Sequence, residues 1–277
     1  MGILNRSLTG LLLALASASA SAYSVFPIDA SQSLKWGSNE NGTPGGVVTW
    51  SFMPVGTPGS AYCGDACLGV SVGNLNIENG PGMGYTPTAL TSLESYITAA
   101  FDKWAAVANI TFVKLGSDSG VAINDPAALP SATGHIRIGA FAFASGGGAV
   151  GFAPPPNGGT GAGDIIFDAN SFYAFQPGND GDAFPGASTA PNDFESLLLH
   201  EMGHAIGLAH PSYTGTCAVM NVDAPCLFRI NRHLDADDIA GAQFLYGAPV
   251  PEPETWAMLL AGLGLVGFAA CRRAVRR

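Results

Sequence analysis

The chain is poor in charge and poorer still in histidine. Only 12% of its 277 residues are charged, and five are histidine. Basic residues are scarcest in the body: residues 23–250 hold 6 Lys and Arg against 19 Asp and Glu. The lack of a basic stripe argues against nucleic acid as a partner. An acidic body is compatible with extracellular life and with cation binding. There is no internal repeat. The glycines of FASGGGAVGF (143–152) lack G-x-G-x-x-G spacing and open no helix, so they are not read as a phosphate loop. The five cysteines are at 63, 67, 217, 226 and 271. The pair at 63 and 67 has no second cysteine pair or nearby histidine to complete a zinc site.

Both ends carry targeting patterns. Arg6, the apolar LTGLLLALA (8–16) and ASA (20–22) read as a secretory signal over 1–22, with a mature start near Tyr23. Export implies an oxidising compartment. Cys63–Cys67 and Cys217–Cys226 are then the economical pairs, with two other connectivities open. The tail VPEPETWAMLLAGLGLVGFAACRRAVRR (250–277) runs from Pro-Glu-Pro through an apolar stretch to arginines. Its segment 256–270 is at the short limit for a membrane span. The tail resembles the PEP-CTERM sorting signal, assigned here to 249–277. That likeness implies brief retention in the inner membrane of a Gram-negative bacterium, cutting by an exosortase, and delivery to the cell surface or matrix. A plain membrane anchor is the alternative.

The body (23–248) is expected to be α+β. After an irregular lead-in to 46, strands are expected over 45–55, 110–115, 135–143, 149–155 and 163–169. Residues 56–86 and 170–192 read as loop. Helices are expected over 88–109, 192–207 and 234–247. Thr91 and Glu94 are spaced for a capping box at the first, and Asp235 and Asp238 at the last.

HEMGHAIGLAH (200–210) uses three of the five histidines. Residues four apart share a helix face, so His200 and His204 can point at one ion. Gly207 can end the helix and turn the chain back to bring His210, with Pro211 blocking further helix. Three neutral nitrogens leave a fourth zinc position open, the catalytic form of such a site. No cysteine or histidine is spaced to supply a fourth ligand. Glu201 is placed as general base for the zinc-held water. Gly203 keeps one helix face small, for no reason the sequence states.

The spacing H-E-x-x-H-x-x-G-x-x-H is the metzincin motif. CAVMN (217–221) places Met220 as the Met turn of that clan. DADDIAGAQFLYG, GDIIFDA, TWSF, AFDKWAAVANITF and HIRIGAF resemble matrixin segments in matrixin order, across about residues 34–247. The resemblance implies a zincin-like fold: a mixed twisted sheet, an active-site helix, the Met turn and a C-terminal helix. It implies an exported zinc endopeptidase whose polypeptide substrate lies extended against AVGFAPP. Gly151 and Ile166 stand where many matrixins have structural-zinc histidines, so no second zinc is expected. Asp164 and Asp168 match calcium-serving acids, against the alternative of solvated loop acids. Pro211 resembles serralysins, whose glycine-aspartate repeats are absent. Cys63 looks slightly like the cysteine of a latency switch, but Cys67 is a nearer partner. His135 and His233 are expected in structural or surface roles. The rival readings are a non-catalytic zinc-binding surface or matrix protein, and a zinc hydrolase of non-peptide substrates.

Overall fold

The computed structural model describes residues 23–128, 133–184, 191–212 and 215–250. The expected signal at 1–22, most of the sorting tail and the apolar segment 256–270 lie outside them. Among the described residues, no helix is long and apolar enough to cross a membrane.

In chain order the elements are β1 (Ser24–Val25), β2 (Gly46–Phe52), β3 (Asn74–Glu78), β4 (Tyr85–Ala89), α1 (Glu94–Ala105), β5 (Ile110–Lys114), β6 (Ile136–Phe141), β7 (Ala149–Gly151), β8 (Ile165–Asp168), β9 (Phe172–Ala174), β10 (Asn192–Asp193), α2 (Phe194–Ala205), β11 (Leu208–Ala209) and α3 (Ala236–Tyr246). The main sheet is ordered β5-β2-β6-β8-β7. Its strands are parallel except β7, which pairs antiparallel with β8 and forms an edge. A second sheet is ordered β10-β9-β3-β4. Mixed sheet and helices give the expected α+β class.

β6 and β8 are buried along their whole length, as central parallel strands require. In α1, Ile97, Ala100, Phe101 and Trp104 recur at helical spacing and are all buried. Trp104 Nε1 also donates to the Leu199 carbonyl of α2 at 3.1 Å, joining the two helices. Both helices therefore contribute to one apolar core with the main sheet.

Two expectations fail for one reason. The helix expected from residue 88 starts at Glu94, after a 3-10 turn over Leu90–Leu93, and the Thr91–Glu94 capping box does not form. Residues 85–89 pair instead with β3, in the stretch read as loop. Leu75 and Ile77 are buried alternately with polar Asn74, Asn76 and Glu78, a period-2 signal short enough to miss. β9, also expected as loop, extends the same sheet. At the N-terminus β1 pairs with β11, placing the lead-in beside the chain that leads to His210.

Candidate metal centre and active site

α2 begins where Asp193 accepts the Ser196 N–H at 3.0 Å, a side-chain cap that starts the histidine helix. Arg232 holds the same carboxylate through Nη2. The helix ends after Ala205, and Gly207 takes φ +104°. Only glycine fits there, because an added Cβ would lie 2.3 Å from the Leu34 carbonyl oxygen. The chain then reverses as β11 and delivers His210.

The three histidines converge. His210 Nε2 lies 3.0 Å from His200 Nε2 and 2.9 Å from His204 Nε2. They are the one cluster of three metal-ligating side chains among the described residues. The tautomers of two follow from their partners. His200 Nδ1 faces the Val219 carbonyl at 2.7 Å, and His204 Nδ1 faces the Leu208 carbonyl at 2.8 Å. A carbonyl only accepts, so each Nδ1 carries the proton and each Nε2 lone pair points inward. Burial lowers both pKa values to about 4 and lowers that of His210 too, which keeps the rings neutral at pH 7. Neutral imidazoles with their lone pairs aimed at one point suit a divalent zinc-like ion.

Glu201 is buried beside this cluster, and its Oε2 accepts the Gly151 N–H of β7 at 2.6 Å. Burial raises its pKa, while nearby His204 and the Gly151 N–H pull it down. β7 packs so close to α2 that a Cβ on Gly151 would meet the Glu201 carbonyl oxygen at 2.3 Å. A cavity of about 260 Å³ opens beside His200 and Glu201, with Leu197, Val219, Val222 and Phe228 among its walls.

Met220 lies beneath α2. A Cβ on Gly203 would come within 2.2 Å of Met220 Sδ, so the small helix face is the seat of that methionine. Asp238 was legible only as a cap, and the α3 capping box does form. It has a further task that the sequence hid. Its carboxylate also accepts the backbone N–H groups of Val219 (2.8 Å) and Met220 (3.1 Å). Since the Val219 carbonyl orients His200, Asp238 acts on the cluster through one loop. Burial pushes its pKa up to about 6.

The other expected residues are placed as follows. Cys63 is joined to Cys67, and Cys217 to Cys226. Asp164 and Asp168 are buried, so neither is a solvated loop acid, and among the described residues neither belongs to a cluster of three ligating side chains. His135 accepts at Nδ1 from the Thr49 N–H, 3.0 Å away, while exposed His233 pairs with Asp180.

Comparison with known proteins agrees with this geometry. The family model described as Matrixin matches residues 83–247, and the PEP-CTERM protein-sorting motif matches 249–273. Metalloendoproteinase 1 of Glycine max is 32% identical over 156 residues, covering 56% of this chain and 46% of that protein. Macrophage metalloelastase of Oryctolagus cuniculus is 30% identical over 176 residues, 61% of this chain and 33% of that one. Metalloprotease AprA of Pseudomonas entomophila (strain L48) is 30% identical over 112 residues, 40% and 19% of the two chains. The chain thus spans less than half the length of each of these relatives. The sorting motif indicates export in a Gram-negative bacterium. The matched segment takes in the α1 core face, the histidine helix, the methionine seat and α3, and with it the chain belongs to the matrixin family.

Proposed function

We propose that the chain is an exported zinc-dependent endopeptidase, with residues 23–248 as its catalytic domain. The observation that carries this reading is the convergence of three inward-facing Nε2 atoms beside a buried carboxylate. His200, His204 and His210 would hold zinc. When bound, zinc supplies a Lewis acid and lowers the pKa of water towards about 7.

The chain's own residues supply the rest. Glu201, fixed at Oε2 by Gly151, takes the proton of the attacking water and passes it to the leaving amine nitrogen. β7 has one strand neighbour, so its free edge can pair with an extended polypeptide. The cavity beside His200 receives a substrate side chain next to the cleaved bond. Met220 and Asp238 act from below, by fixing the loop that orients His200. Asp168 is taken up by protein partners, whereas the buried Oδ2 of Asp164 has no hydrogen-bond partner among the described residues, which leaves Asp164 as a candidate calcium ligand. The segment 256–270 would hold the chain in the inner membrane until an exosortase-type enzyme cuts the sorting tail.

The test is cleavage of denatured casein by the purified protein, with and without a zinc chelator. Cleavage that the chelator stops and added zinc restores is expected. Zinc-loaded, folded protein that cleaves neither casein nor a library of peptides would favour the non-catalytic surface or matrix protein.

A further inference from the structure

A surface beyond the cleft remains unused by this account. The rings of Tyr85 in β4 and Phe172 in β9 meet at a tilt of 47° with centroids 4.4 Å apart, yet are 39% and 48% exposed. Met83, two residues before Tyr85, is 74% exposed. Single exposed apolar side chains are ordinary, but an exposed aromatic pair in ring contact forms a patch. Its position is informative. From Gly151, which holds Glu201, β7 runs back to Gly148. A Cβ on Gly148 would meet Leu197 and Asn192, and both line the cavity. Asn192 Nδ2 in turn donates to the Phe172 carbonyl at 3.4 Å. Ser171, adjacent to Phe172, donates to the Gly147 carbonyl. The start of β7, the cavity wall and the β9 backbone that carries Phe172 are therefore in direct contact.

We infer that Tyr85, Phe172 and Met83 form a second contact for the substrate polypeptide, several residues from the cleaved bond. This rests on the endopeptidase reading above. The occupant is an extended chain segment with aromatic or aliphatic side chains, continuing from the β7 edge. Three features favour a polypeptide. The surface joins the free edge of β7, where backbone pairing holds an extended chain. The rings offer flat apolar faces of the kind that anchor side chains. Glu78, cross-strand from Tyr85, disfavours acidic flanks. The surface thus selects long, unfolded, apolar substrates over short peptides.

The experiment uses the full chain and two fluorogenic peptides sharing one cleavage sequence. One has about six residues and spans roughly 20 Å. The other has about twenty, with Leu and Phe in both extensions. Tyr85→Thr/Phe172→Thr removes the rings while keeping β-branched residues that suit strands. The variant is expected to lower kcat/KM on the long peptide about tenfold, the loss typical of removing a pair of binding aromatics. The loss should appear in KM, and the short peptide should keep its kcat/KM. Tyr85→Phe should behave as the unaltered protein, because the ring and not the hydroxyl makes the contact. Equal losses on both peptides, or no loss on either, would overturn the inference. So would unchanged peptide kinetics together with lost retention on a polysaccharide column, which would reassign the surface to sugars. If the unaltered protein cleaves neither peptide, the endopeptidase reading itself has failed.

Discussion

Two polar regions of this molecule both gather metal-ligating residue types, and they differ in how the protein pairs them. At the end of α2, three neutral imidazoles face one another. Two have spent their Nδ1 protons on carbonyls and offer only lone pairs inward. Around β6 and β8, carboxylates are buried more deeply than the histidines, and the protein supplies most of their partners. Arg137 grips Asp118 through Nε at 2.9 Å and Nη2 at 2.7 Å. Asp164 Oδ1 accepts the Arg137 backbone N–H at 2.8 Å, and burial holds its carboxyl well above the usual range. Asp168 accepts N–H groups from Phe143 and Asn170. The first region aims its lone pairs at one point, as the proposed zinc would require. In the second, the Arg137 guanidinium compensates Asp118, while Asp164 Oδ2 stays buried with no hydrogen-bond partner among the described residues. A cluster of ligating residue types points to a metal where several uncompensated electron pairs converge on one point.

The contrast can be tested by substitution at each region. His210→Ala should have the largest effect, weakening zinc binding by at least about 100-fold with little change in metal-free stability. Metal analysis beside thermal melts would show it, and a variant that kept full zinc occupancy would break the contrast. Arg137→Met should do the reverse. It strands Asp118 in a buried site and should cost about 3–5 kcal/mol in urea unfolding, with one zinc still bound if the protein folds.

A smaller effect is expected at Asp238, which links α3 to the cluster. Its folded pKa is raised from 3.8 to about 6, so its proton-linked stability is present below 3.8 and is lost as pH rises through 6. Asp238→Asn cannot ionise, so its stability deficit should be greatest near pH 4. The deficit should shrink by up to ~3 kcal/mol by pH 7. Denaturant melts across that range would check it, and a deficit that grew with pH would contradict the assignment.

The histidine site was legible because its chemistry lies in local spacing. The four-residue step from His200 to His204 and the breaker Gly207 both act within one turn of helix. The capping box at Asp235 was legible for the same reason. What escaped the sequence depends on partners far along the chain. The pairing of β4 with β3 displaced the start of α1, overriding a strong helical pattern in residues 88–93. Gly203 had no visible purpose until Met220 was seated against it, and Asp238 read as a cap because its Val219 and Met220 contacts come from a preceding loop. The acids at 164 and 168 could not be judged, because Arg137 N–H and the Phe143 N–H lie 25 or more residues away.

The central claim is that three histidines and Glu201 form one hydrolytic site with separate tasks. The most direct measurement is zinc content and casein cleavage, on the same samples, for the protein and for Glu201→Gln. One zinc in both, with cleavage reduced by about 10²-fold or more in the variant, is the predicted result. Equal cleavage by both, or a variant that loses its zinc along with its activity, would contradict the assignment of Glu201 as base and not ligand.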